Sequence, residues 1–205
     1  MLKIYGTKLS SNVQKVLWCC SEIGLAFERD ENTGGPSRKD RTPAYLKLNP
    51  NGLIPTVDED GFILWESNAI VRYLSAKHSL GNLCPADLRQ RADVERWMDW
   101  QQTVITGPMG VLFRALLRKP AESTPEDQIK AGLQRAADGW GILEARLEDR
   151  PYVGGTALTM GDIAFGNAVH RWFKLPLERP ELPNIRRWYD LLCERPGYRE
   201  HISSI

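Results

Sequence analysis

Gly52–Leu74 reads GLIPTVDEDGFILWESNAIVRYL, and its parsing decides the fold. Pro55 stands at the mouth of a strand-like run, IPTVDED, and a second run, FILWE, follows it. Glu66-Ser67 then closes the hairpin and opens a helix, SNAIVRYLSAKH. An X-Pro bond is the one peptide link that is readily cis. A cis Pro55 would hold the preceding backbone at an angle to the sheet edge, leaving the N–H and C=O of Ile54 for an extended, peptide-like ligand. Ser67 has the chemistry of a helix N-cap, and the N–H groups of a helix start suit a carboxylate. Glu66 beside it suits an ammonium group. Together they describe a receptor for a small peptide with a free amino-acid end.

Upstream of this hairpin, LKIYG and LAFERDE read as strands around a helix, NVQKVLWCCSEIG. Ser10, Ser11 and Asn12 are all capping types, followed by Val13, Val16, Leu17 and Cys20 at helical spacing. ENTGGPSRKDRT reads as a polar loop. Strand–helix–strand followed by strand–strand–helix implies a small α/β layer with a mixed four-stranded sheet.

Past residue 80 the strand signals fade. Asp87–Arg118 is helical in pattern, with Gly107-Pro108 placed to bend or interrupt it. Thr124-Pro125-Glu126-Asp127 reads as a helix start with Pro125 at the first helical position and acids in the first turn, the helix running to Asp149. Thr159-Met160-Gly161-Asp162 has the form of a capping box, with Asp in the usual Glu or Gln place. A last helix covers NIRRWYDLLCERP. The expected organisation is an α/β domain over residues 1–78, a linker at 79–86 and an all-α domain over 87–205.

Composition excludes several function classes. A net charge of +1 with Lys and Arg mixed among Asp and Glu offers no nucleic-acid arm. MLKIYGTKLSSN has no apolar core of a secretory signal, and no run reaches the roughly 18 apolar residues of a membrane span. Cys19, Cys20, Cys84 and Cys193 show neither CxxC nor metal-ligand spacing, and His78, His170 and His201 add none. A cytoplasmic protein with reduced thiols and no metal is expected, with no nucleic-acid or membrane partner.

If the ligand carries a thiol, the start of the first helix is where it would be activated. Lowering a thiol pKa of about 8.5 by two units takes about 2.7 kcal/mol of preferential thiolate stabilisation. A charge-assisted hydrogen bond of roughly 1.5–3 kcal/mol from a hydroxyl such as Ser10, with roughly 0.3–1 kcal/mol from the helix terminus, supplies that.

These motifs, LSSN before the first helix, NPNGLIPTV, WESNAI and LTMGDIAF, resemble those of cytosolic glutathione transferases, in the bacterial serine-type branch akin to theta, phi and nu members. The resemblance spans essentially the whole chain. It implies a thioredoxin-like first domain binding glutathione, an all-helical second domain forming the electrophile site, and a two-fold homodimer. By the same resemblance Ser10 corresponds to the thiol-activating serine, with Ser11 and Asn12 as neighbours able to take its place. Ile54 before Pro55 pairs with the cysteinyl backbone, and Glu66 and Ser67 hold the γ-glutamyl end. Arg41, or the nearby Lys39, falls near the glycine carboxylate. Leu53 stands where many relatives carry Gln or Lys, so a side-chain contact is lost there. Leu9, Arg114 and Arg118 are candidates for the electrophile side, the two arginines four apart on one helical face. Trp97, Trp100, His170 and Trp172 are expected in the core. The activity implied is thiolate attack on a small electrophile. Glutathione-dependent disulfide or peroxide reduction and a non-enzymatic binding role are the alternatives. The absence of Cys at positions 10–12 speaks against a protein mixed disulfide, and the retained Glu66-Ser67 pair speaks against a relic site.

Overall fold

The computed structural model describes residues 1–31, 42–117 and 124–203. It divides into two compact units, Met1–Asp87 with Pro196–Ile205, and Leu88–Arg195.

The first unit is built on a four-stranded sheet: β1 (Leu2–Tyr5), β2 (Phe27–Asp30), β3 (Thr56–Glu59) and β4 (Phe62–Trp65), in the order β2-β1-β3-β4. β1 runs parallel to β2, with Leu2 opposite Phe27, and antiparallel to β3, with Tyr5 opposite Thr56. The β3–β4 hairpin turns through Asp60 (φ 53°) and Gly61 (φ 91°). Two left-handed residues in a two-residue loop match the right-handed twist of the strands, which is why Asp-Gly sits there. Between the first two strands lies α1 (Ser11–Ile23), and α3 (Ser67–His78) follows β4. α1 and α3 pack on each other. Val13, Val16 and Leu17 meet a core shared with Ile70, Val71 and Leu74, together with Leu2, Ile4 and Val57 of the sheet. The mixed-sheet α/β layer expected from the sequence is therefore present, with its four strands within the runs read as strands.

A short helix, α2 (Pro43–Leu48), was not foreseen between the polar loop and β3. Its signal is local and brief: Thr42 caps it by accepting from the Tyr45 N–H, and Pro43 occupies the first turn.

The second unit contains α4 (Leu88–Trp100), α5 (Thr106–Leu117), α6 (Glu126–Arg146), α7 (Met160–Lys174) and α8 (Pro183–Glu194). α4 passes into α5 through a π-helical turn, Gln101–Ile105. Pro108 has no N–H, and its ring crowds the carbonyl four residues back, so the ladder widens just ahead of it rather than breaking. α6 begins one residue later than its sequence signal, with Pro125 as N-cap, and ends at Arg146 rather than Asp149. Met160–His170 and Trp172 are all buried, which makes α7 the central helix. Around it Trp100, Trp140, Phe165, Trp172 and Trp188 form a chain of ring contacts with centroids 6.0–6.2 Å apart. His170 and Trp172 are core residues as expected, whereas Trp97 and Trp100 are only half-buried.

The capping box forms. Asp162 Oδ2 accepts from the Thr159 N–H (2.8 Å) and hydroxyl (3.0 Å), while Oδ1 accepts from the Val153 N–H (2.8 Å) and Trp188 Nε1 (2.9 Å). Burial pushes this carboxyl up, against four hydrogen bonds that hold it down.

The end of the chain corrects the expected boundary of 87–205, because residues from Pro196 on group with the first unit. Tyr198 packs edge-on against Trp18 of α1, with centroids 4.9 Å apart. Gly197 allows the approach: a Cβ there would lie 2.5 Å from Ser21 Oγ. Among the described residues no helix is long and apolar enough to cross a membrane. No group of three His, Cys, Asp or Glu side chains among them is placed to hold a metal ion.

Candidate functional site

The Ile54–Pro55 bond is cis. Beside it lies a hollow of about 50 Å³ lined by Asn12, Asn49, Asn51, Leu53, Ile54, Pro55, Glu66 and Ser67. Three segments distant in sequence thus converge: the first turn of α1, the loop before β3 and the start of α3.

The loop before β3 is held from below. Leu53 C=O accepts from Tyr45 OH (2.6 Å) and Asn49 Nδ2 (2.9 Å), and the same two side chains reach Thr56 Oγ1 at 2.8 and 3.1 Å. Asn49 Oδ1 in turn accepts from the Asn51 N–H (3.0 Å). This network fixes the approach to Pro55 and commits the Leu53 carbonyl inward. Ile54, next along, lines the hollow. The Leu53 side chain is exposed at the rim. Gly6 completes the fit at the end of β1. With φ 144° it sits where a Cβ would come within 2.6 Å of Val13 Cγ2 and 3.1 Å of Ile54 Cβ.

At the start of α3 the expectation needs correcting. Glu66, not Ser67, is the N-cap residue, and Ser67 is the first helical residue and buried. Glu66 has φ 74° and ψ 109°, a strained setting for a residue with a side chain. Its side chain is exposed. Ser67 Oγ donates to Asn12 Oδ1 at 3.3 Å, tying the start of α3 to the start of α1. That bond occupies the amide oxygen and leaves Nδ2 as the donor end of Asn12.

Of the thiol-contact candidates, Ser10 is the N-cap of α1, yet its side chain makes no capping hydrogen bond. Its backbone carbonyl accepts from the Gln14 N–H at 2.9 Å. Ser11 begins the helix. Only Asn12 of the three lines the hollow, so the structure gathers Asn12, Leu53, Ile54, Pro55, Glu66 and Ser67 but not Ser10 or Ser11. Leu9 is exposed in the loop before α1. Arg41, Lys39 and Arg118 lie outside the described residues. Arg114 is exposed and lines a different cavity, a groove of about 690 Å³ between α5 and α6 that also takes in Arg135, Asp138 and Ile142.

Sequence reasoning missed Asn49 and Asn51, which sit in the NPNG run just ahead of Leu53, and it missed Lys15. That lysine, on α1, is only 5% exposed and donates from Nζ to Asn68 Oδ1 at 3.2 Å. Burial lowers its pKa to about 8, partly offset by the negative charge of Glu66. The helix is buried on every side from Val13 to Cys20, so apolar spacing alone gave no warning that Gln14 and Lys15 would be enclosed. Cys19 and Cys20 are buried too, and burial pushes the Cys19 thiol up to about 12 and Cys20 higher, which leaves both inert as nucleophiles.

Comparison with known proteins is consistent across both units. Residues 9–77 match the family model "Glutathione S-transferase, N-terminal domain" and residues 126–191 match "Glutathione S-transferase, C-terminal domain". The chain is similar to the glutathione S-transferase GstB of Escherichia coli, 36% identical over 98% of this chain and 97% of that one. Among solved structures it resembles the theta class glutathione S-transferase of Xanthomonas axonopodis pv. citri with glutathione bound, with a TM-score of 0.91, 40% identity and coverage of 98% and 96%. It also resembles elongation factor 1-gamma 1 of Oryza sativa, at 27% identity over 96% of this chain but 47% of that protein.

Proposed function

Because the chain belongs to the glutathione S-transferase family, we propose that the hollow at cis-Pro55 is its glutathione site and that Asn12 contacts the sulfur. One observation carries the reading: a start of α3 without a side-chain cap, an Ile54 backbone at a strand mouth and the Asn12 amide surround a single hollow. The Glu66 carboxylate takes the γ-glutamyl ammonium. The backbone N–H of Ser67 at the start of α3 takes the adjacent carboxylate, since the Ser67 hydroxyl is engaged with Asn12. Ile54 pairs with the cysteinyl backbone. The thiol then lies toward the first turn of α1, where Asn12 Nδ2, the Ser10 hydroxyl and the helix N-terminus all favour the thiolate.

The chemistry follows from that ionisation. The thiol proton leaves to water, and the sulfur lone pair forms a new S–C bond at an electrophilic carbon. The carbon either expels a leaving group with its bonding pair or passes that pair to an acceptor that picks up a proton. The protein contributes ionisation and orientation, not a covalent intermediate. A cytoplasmic setting, where glutathione stays reduced, suits this chemistry.

A two-fold homodimer belongs to the same reading. The groove between α5 and α6 places Val104, Val111 and Ile142 beside Arg135 and Asp138. A symmetric copy would match apolar with apolar and Arg with Asp. Sedimentation at micromolar concentration tests it, with a monomer overturning it.

The deciding experiment for the site is a pH titration of the protein with glutathione, following thiolate absorbance. Saturable binding with a bound thiol pKa well below about 8.5 is expected. Binding without that fall refutes thiol activation, and no binding refutes the site.

A further inference from the structure

A buried ammonium group is costly to a fold, and Lys15 has few compensations. Its Nζ has three donors and makes one hydrogen bond, to Asn68 Oδ1. No carboxylate of the described residues lies within ion-pair distance of it. An apolar side chain of similar length would fill the same space without the desolvation penalty. Position explains what the charge does instead. Lys15 lies three residues after Asn12, on the same face of α1, and Asn12 lines the hollow. Its partner Asn68 is 3% exposed in the first turn of α3 and directly follows Glu66 and Ser67. The ammonium therefore stands behind the anion-facing side of the proposed glutathione site, joined by one hydrogen bond to the turn whose N–H groups would meet the ligand.

Resting on that reading of the hollow, we propose that Lys15 is a positioning residue for glutathione. Through Asn68 it holds the first turn of α3 in the orientation that receives the γ-glutamyl carboxylate, and its charge favours an anion there. It touches neither the sulfur nor the electrophile, so its effect falls on glutathione affinity and not on the chemical step.

The test uses S-methylglutathione, which keeps both ends of the peptide but has no thiol to ionise, so its binding reports on position alone. Calorimetry is run on the wild type, Lys15→Met and Lys15→Arg, with steady-state kinetics alongside. Lys15→Met is expected to weaken S-methylglutathione about tenfold and to raise the KM for glutathione similarly, with kcat at saturation within twofold and no loss of melting temperature. Lys15→Arg, which keeps the charge and the donors, is expected to stay within threefold of wild type. Wild-type binding that Lys15→Met retains within twofold overturns the role of Lys15 and leaves the site intact. A failure of the wild type itself to bind overturns both. A parallel fall in kcat, or an arginine variant as poor as the methionine one, overturns the positioning role.

Discussion

Lys15→Met should also change stability, with a sign that depends on pH. The lysine pKa lies at about 8 in the folded protein against 10.5 when exposed. At about 1.4 kcal/mol per pH unit, that interval is a cost to folding of about 3 kcal/mol wherever the lysine is charged in both states. Below pH 8 the whole cost is present. Between about 8 and 10.5 the unfolded chain holds a proton that the folded one has released, so stability rises with pH; above 10.5 the cost is gone. Methionine removes the cost and also the hydrogen bond to Asn68, worth about 1 kcal/mol. The variant should therefore be about 2 kcal/mol more stable than wild type at pH 7, about 4–8 °C in melting temperature for a chain of this size. That gap should close and reverse to about −1 kcal/mol near pH 10.5. The buried thiols of Cys19 and Cys20 act in the opposite direction above pH 9, since unfolding exposes them to ionise. They are common to both proteins and cancel in the difference. Urea unfolding of both proteins at pH 7, 8, 9 and 10.5 measures it. A variant no more stable than wild type at pH 7, or a gap that does not narrow with pH, would refute the reasoning.

Other perturbations separate the parts of the site and the fold. Glu66→Gly relieves a backbone at φ 74° and should raise stability by about 1 kcal/mol after the extra chain entropy of glycine. It should also raise the KM for glutathione severalfold, and steady-state kinetics with an unchanged KM would remove Glu66 from the site. Asn12→Ala is expected to raise the bound thiol pKa by about one pH unit and lower kcat, with Ser10→Ala the smaller effect. The thiolate titration decides between them, the reverse order assigning the contact to Ser10. Asp162→Asn leaves at least one of four buried donors facing an amide N–H and weakens the rest from charged to neutral. A loss of about 3 kcal/mol is expected by thermal unfolding, and a change under 1 kcal/mol would show that the box does not fasten α7.

What was legible in the sequence is what local chemistry dictates. Pro55 and the Thr159–Asp162 box each demand a particular backbone from residues a few positions apart, and each was found as read. The strands followed because short runs of strand formers stand between helix and turn signals. The start of α3 was misread by one residue because Glu66 adopts a positive φ that a propensity for glycine or asparagine does not foresee. The α2 helix escaped because six residues give too little period to count. Contacts made through space left no local trace: the Tyr45–Asn49–Leu53 network, the burial of Lys15 and the return of Tyr198 to Trp18.

Three departures from the rules of stable folding gather at one place. A strained Glu66, an exposed Leu53 and a buried Lys15 are all joined to the hollow at Pro55, two lining it and one through Asn68. The start of α7, by contrast, satisfies its pattern and its hydrogen bonding, with four donors meeting the Asp162 carboxylate. If these departures were accidents of drift, relieving each would leave ligand affinity alone. If they serve the site, each relief should stabilise the protein and weaken glutathione together. Glu66→Gly and Lys15→Met test that coupling from two helices independently, and a stabilised variant of either kind that binds glutathione as well as wild type would break it.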